Sequence, residues 1–116
     1  MGVVEMIKFS ELYELQDELD KFIIENKNLN MSKKELLTDS VLALQVEVSE
    51  LANSTRCFKH WSNKGAEPKE VVLEEYVDVL HFFLSVGNQL GFRSKEVEDA
   101  FFKKRQINID RVKSGY

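Results

Sequence analysis

Glu47 and Glu50 stand three residues apart within Gln45–Asn53, and Glu75 and Asp78 repeat that spacing within Leu73–His81. On a helix, residues three apart leave one face a turn apart, so each doublet aims two carboxylates at a common point. Such pairs are common on solvated faces, so their angular position carries the argument. Leu36, Leu37, Val41, Leu44, Val48 and Leu51 define one apolar arc. Glu47 falls inside that arc, between Leu51 and Leu36, and Glu50 lies at its margin. In the second segment Val72, Tyr76, Val77, Val79, Leu80, Phe83, Leu84 and Val86 occupy most of the circumference. The strip left over holds Glu75, Asp78, Phe82 and Ser85, with Glu74 and His81 at its edge.

If the two strips face each other, four carboxylates converge in a partly dry space. Buried charges there need partners or a metal, or they take up protons. Neither strip contains a lysine or arginine. A hard divalent cation, magnesium or manganese, suits an all-oxygen site. The competing reading is a structural one, with the carboxylates solvated or salt-bridged. A di-iron carboxylate bundle is disfavoured, because it needs a Glu-x-x-His pair on two helices. The chain has only His60 and His81, and His60 falls in an expected loop.

A phosphate-directed metal site needs cations nearby. Arg56 and Lys59 follow the first doublet, and Lys103, Lys104, Arg105, Arg111 and Lys113 crowd the C-terminal segment around Asn108. Lysine supplies a point charge and arginine a fork matched to phosphate oxygens. Each cluster also reads as a solvated helix end. Trp61, beside Phe58, serves either as a loop anchor or as a wall for a base or sugar. No glycine-rich phosphate loop or serine-type nucleophile arrangement is present.

Four helices must position these groups. The first is expected from about Glu11 to Asn26, with Ser10 as cap and Leu12, Leu15, Leu19, Phe22 and Ile23 as its stripe. Ser32 followed by Glu35 is a capping box for a long second helix ending near Thr55 or Phe58. Lys59–Pro68 is a connection, and the third helix runs from Glu67 or Pro68 to Gln89 or Leu90, stopped by Gly91. Ser94 caps a fourth from Lys95 to about Gln106, and the tail from Ile107 to Tyr116 shows no period. The expectation is an all-α, small four-helix bundle-like domain spanning residues 1–116. Val71–Leu90 is apolar over too much of its surface for a comfortable monomer, so a homo-oligomer is expected.

Composition agrees with a globular chain: 43% of its 116 residues are hydrophobic and 31% charged, too apolar for disorder. A net charge of −4 argues against a nucleic-acid backbone binder. The single cysteine, Cys57, excludes an internal disulfide framework. The most apolar stretch, Val79–Val86, is too short for a membrane span, and no signal-peptide pattern is visible. The expected location is cytoplasmic.

With these residues in view, the chain resembles the all-alpha nucleoside triphosphate pyrophosphatases, most closely the dimeric-type dUTPases. Glu50-Leu51-Ala52-Asn53-Ser54-Thr55-Arg56-Cys57-Phe58-Lys59-His60-Trp61-Ser62 and Glu75-Tyr76-Val77-Asp78-Val79-Leu80-His81-Phe82 carry the likeness. The family's Glu-x-x-Glu and Glu-x-x-Asp metal signature falls on Glu47, Glu50, Glu75 and Asp78. Leu15-Gln16-Asp17-Glu18-Leu19-Asp20 is similar to its first motif, where an asparagine commonly stands at the position of Asp20. Lys104…Asn108…Arg111…Gly115-Tyr116 resembles its C-terminal ending. The longer relatives insert helices before that ending, whereas here only Phe82 to about Phe102 intervenes.

The resemblance implies magnesium-dependent hydrolysis of dUTP to dUMP and pyrophosphate, with manganese a possible substitute. It makes Glu47, Glu50, Glu75 and Asp78 the metal ligands, and Glu47 or Glu50 the residue that orients or deprotonates water. Lys59, Lys104 and Arg111 would meet the polyphosphate, Trp61 and Phe82 the base and sugar, and Gln16 and Asn108 would supply hydrogen bonds. The implied assembly is a homodimer or dimer of dimers. Two alternatives stand beside this reading: a broader-specificity deoxynucleoside triphosphate pyrophosphatase, and a non-enzymatic helical dimerisation or regulatory module.

Overall fold

The computed structural model describes residues 6–115. Four helices, α1 (Phe9–Asn26), α2 (Lys33–Thr55), α3 (Lys69–Gln89) and α4 (Ser94–Lys113), make an all-α fold with no strand among the described residues. Ser40 reaches Gln89 while Glu47 lies beside Asp78, so α2 and α3 run antiparallel. Gln16 meets His81 and the Tyr13 carbonyl accepts from Asn88, so α1 is antiparallel to α3 as well. The α2–α3 pair is the most extensive packing, α1 closes over α3, and α4 makes its close backbone contacts with α1 while its Val97, Ala100 and Phe101 share an apolar cavity with Leu44, Phe83 and Leu90. No helix among the described residues is long and apolar enough to cross a membrane.

The ends of α2 and α3 follow the local signals. Ser32 Oγ accepts from the Glu35 N–H at 3.1 Å, and Glu35 Oε1 accepts from the Ser32 N–H at 3.2 Å. Gly91, at φ 77°, ends α3 in a left-handed turn. Its N–H reaches the Asn88 carbonyl at 3.0 Å and the Phe92 N–H reaches Gly87 at 3.0 Å, satisfying two terminal carbonyls. Pro68 sits one position earlier than a first-turn proline, at the cap itself.

Three expected boundaries are corrected, the smallest at α4, where Arg93 is the cap and Ser94 the first helical residue. Ser10 is not the cap of α1; Lys8 holds that place and the helix starts at Phe9. The earlier start brings Phe9 edge-on against Tyr13 one turn later, with centroids 5.2 Å apart. The fourth helix does not stop near Gln106 but continues to Lys113, one residue short of Ser114. Gln106 donates to Asp110 at 3.0 Å, and no glycine or proline interrupts the run before Gly115. Local pairs and good helix formers sustain a segment that lacks an apolar period. Tyr116, part of the expected ending, lies outside the described residues.

Gly87 sets the approach of α1 to α3. A Cβ there would stand 3.1 Å from Tyr13 Cε1, and Tyr13 is buried. Gly87→Leu is therefore expected to destabilise the fold by about 2 kcal/mol or more through overpacking. A chemical-denaturation midpoint equal to that of the parent would refute this.

The protomer is open. Its accessible surface is 9708 Å², against about 6500 Å² for a compact monomer of this mass. Among the described residues only Tyr13 and Leu84 are buried apolar side chains, while Phe83, Phe101 and Phe102 are exposed.

Candidate metal centre

The antiparallel α2–α3 pair turns the two acidic doublets toward each other. Glu47, Glu75 and Asp78 each offer a carboxylate oxygen, and these atoms lie within 4.8 Å of one another. Glu50, more exposed at the margin of the α2 stripe, lies within side-chain hydrogen-bond reach of both Glu47 and Glu75. All four predicted carboxylates thus share one neighbourhood, three as a tight cluster and Glu50 beside it.

Removal from water pushes the Glu47 carboxyl above its ordinary range, helped by Glu50 and by the charges of Asp78 and Glu75. Glu75 is raised first by the same desolvation, then by the charges of Glu50 and Asp78. The charges that act most on these two groups, those of Glu50, Asp78 and their acidic neighbours, are all negative. Ion pairs such as Lys21–Asp17 and Lys95–Asp99 form elsewhere. Glu47 Oε2 and Glu75 Oε2 are buried and accept no hydrogen bond from the described residues. Converging hard oxygens, two of them buried without a partner, fit a divalent cation of the magnesium or manganese type.

The remaining predicted residues occupy three other places. Gln16 is buried in α1 with both amide atoms engaged: Nε2 donates to Asp20 Oδ1 at 2.9 Å, and Oε1 pairs with His81 Nδ1. With Nε2 donating to Asp20, the Gln16 oxygen is left to accept, which makes His81 Nδ1 the donor. Phe82 projects from α3 onto a cavity of about 400 Å³ shared with Asp20, Ser40, Ser85, Asn88 and Gln89.

Trp61 is exposed on the connection between α2 and α3, edge-on to His60 with centroids 5.0 Å apart. The Lys59 ammonium stands 5.7 Å from the Phe58 ring centre. Arg56 braces this connection, donating to the Lys64 carbonyl at 3.2 Å and to Ser62 Oγ at 3.0 Å. It takes up a left-handed conformation at φ 56° to end α2.

Lys104 and Asn108 border an open groove of about 580 Å³ formed by side chains of α4 alone. Arg111 lies further along that helix. α4 makes no close backbone contact with α2 or α3, and the cavities that Lys104 borders include none of the four carboxylates. One protomer therefore gathers the acidic groups and Phe82 along a single seam and carries the C-terminal basic groups on a separate helix.

Gln89, with Ser40 opposite it, escaped the sequence reading. Its signal was available: eleven residues beyond Asp78, it returns to within about 20° of that residue on a helical wheel.

Fold and site define an all-helical protein with a carboxylate centre suited to a hard cation between two antiparallel helices. A family model described as dUTPase matches residues 8–94. The chain belongs to this dUTPase family, whose matched span contains all four carboxylates and ends at the start of α4. No curated protein matches the chain.

Proposed function

We propose that the protein hydrolyses dUTP to dUMP and pyrophosphate in a magnesium-dependent reaction. The observation that carries the reading is the Glu47–Glu75–Asp78 cluster, with buried unpartnered oxygens on Glu47 and Glu75, in a chain of the dUTPase family. Glu47, Glu75 and Asp78 hold the cation, with Glu50 completing the set. Bound magnesium supplies charge neutralisation on the phosphates and a lowered pKa for bound water, and manganese is a suitable substitute.

The side chains divide the remaining work. Glu50 lies beside the three-oxygen cluster and is more exposed than Glu47, so its carboxylate is the better placed to orient water and take its proton. Phe82 offers a face to the base or sugar from the same strip of α3 as Asp78. Gln16, locked by Asp20 and His81, keeps one N–H and one lone pair of its amide for substrate. Lys59 and Trp61 approach from the connection after α2. Lys104, Asn108 and Arg111 complement the polyphosphate and sugar from α4.

The functional unit is a homodimer or a pair of dimers. A surface about 3000 Å² larger than that of a compact chain of this mass is more than enough for one chain's share of a permanent interface. An association of that kind also gives α4 of one copy access to the carboxylates of another. We place the enzyme in the cytoplasm.

The reading is tested by pyrophosphate release from dUTP, dCTP, dTTP, dATP, dGTP and UTP with Mg²⁺, each repeated with EDTA. Strong preference for dUTP, lost on chelation, is the expected result. Metal-dependent cleavage of other triphosphates at similar rates would reassign the base. No turnover by folded, metal-loaded protein would overturn the enzymatic reading in favour of a binding module.

A further inference from the structure

The C-terminal half of α4 stands clear of its own protomer. Its root is seated, since Val97, Ala100 and Phe101 share an apolar cavity of about 670 Å³ with Leu44, Phe83 and Leu90. Beyond that root every residue of 103–113 except Ile109 is exposed, and the groove beside Asn108 and Val112 is lined by α4 side chains alone. The radius of gyration is 17.8 Å, against about 13 Å for a compact chain of this length. A half-helix whose apolar side chains meet water gains nothing from packing and is marginal by itself. It needs a surface to lie on.

Charge selects that surface. The half-helix carries Lys103, Lys104, Arg105, Arg111 and Lys113 against Asp110 alone, in a chain whose net charge is −4. The α2–α3 seam is its complement. Glu47, Glu75 and Asp78 cluster there beside Glu50, and none of them is in an ion pair among the described residues. One divalent cation does not neutralise four carboxylates, and a triphosphate brings more charge of the same sign.

The arm cannot serve its own seam without giving up its root. On α3, Phe83 and Leu90 point roughly 120–140° away from Asp78, so α4 is seated on the side of that helix turned from Asp78. We propose that residues 103–113 are an exchanged arm lying on the carboxylate seam of a second copy, so that each complete site takes its carboxylates from one chain and its basic residues from the other. A two-fold dimer closes the exchange, because each arm finds the other chain's seam. The inference rests on the reading of the site as a triphosphate hydrolase and names the partner that completes it.

Zero-length carbodiimide coupling of lysines to carboxylates, on co-refolded ¹⁴N and ¹⁵N chains, tests it without reference to activity. Lys103 or Lys104 should couple to the seam carboxylates, with about half of those links joining a light chain to a heavy one, as random pairing of a dimer requires. Lys21–Asp17 and Lys95–Asp99, ion pairs of 2.8 and 2.7 Å within one chain, are the same-isotope controls. Arm–seam links of one isotope only, or controls without any arm–seam link, overturn the exchange. Turnover gives a second reading. Glu47→Gln co-refolded with the combined Lys103→Ala, Lys104→Ala and Arg105→Ala chain should recover about one quarter of parent activity, because half of the dimers are mixed and each holds one intact site. An active parent with no recovery in the mixture overturns the exchange as well. Links between light and heavy chains in a parent without turnover sink the hydrolase reading alone, and turnover with same-isotope links sinks the exchange alone.

Discussion

Glu47→Gln and Glu75→Gln are each expected to lower kcat/KM for dUTP by about 1000-fold or more while leaving helical content and cooperative melting intact. Glutamine keeps the volume and one oxygen of the side chain but removes the charge that a hard cation requires. Because Glu47 and Glu75 already lie among like charges, neutralising either removes repulsion in the metal-free fold. Loss of activity with helical content and a cooperative melt retained therefore marks a ligand, whereas loss of both activity and the cooperative melt marks a structural carboxylate. Glu50→Gln separates the remaining role: at the edge of the cluster it should weaken Mg²⁺ binding less than Glu47→Gln or Glu75→Gln does, while kcat falls as far. Either Glu47→Gln or Glu75→Gln turning over at near-parent rates would show that the three-oxygen cluster is not the reactive centre.

Metal removal should leave an equally large mark on stability, with a sign set by proton linkage. The Glu47 and Glu75 carboxyls are both raised in the metal-free fold above an ordinary value of 4.5, first by desolvation. A raised folded pKa means that their contribution is most favourable below about pH 4.5 and is lost as pH climbs through the raised value. In EDTA, Glu47→Gln should consequently melt above the parent at pH 7.5, with the gap closing toward pH 4.5. Magnesium reverses the sign, because it binds the ionised carboxylates. At one hundred times its dissociation constant it adds about 2.7 kcal/mol, roughly 10 °C in Tm, to the parent at pH 7.5. Glu47→Gln should gain far less. A Mg²⁺ shift of equal size in both proteins would mean that the ion acts elsewhere, and a parent–variant gap independent of pH would remove the desolvated carboxyl as its cause.

Much of this was legible in the order of residues, for local reasons. The Ser32–Glu35 cap and the Gly91 stop are encoded within a turn of where they act, and both hold as read. Glu47 on an apolar arc and Glu75 and Asp78 in a polar strip announced a converging acidic site, because a helix converts spacing directly into a face. Where two local signals competed, the sequence misled. Ser10 looked like a cap, but the Phe9–Tyr13 contact moved the start of α1 earlier. Polarity disguised Ile107–Lys113 as a tail, although side-chain pairs one turn apart sustain a helix there.

Tertiary structure alone decided how the faces combine. Periodicity placed Gln16, Ser40, His81 and Gln89 on helices, but only the packing of α1 and α2 on α3 made Gln16 a partner of His81 and Ser40 a partner of Gln89. Packing likewise separated α4, with Lys104, Asn108 and Arg111, from the acidic seam of its own protomer. The reason is physical: rise and rotation per residue fix which side chains share a face, whereas the facing partner is chosen by burial and hydrogen bonding between segments distant in the chain. The sequence by itself determined four helices and the carboxylates that could act together. The fold determined that three of those carboxylates meet within 4.8 Å, and that two of their oxygens are buried without a hydrogen-bond partner among the described residues.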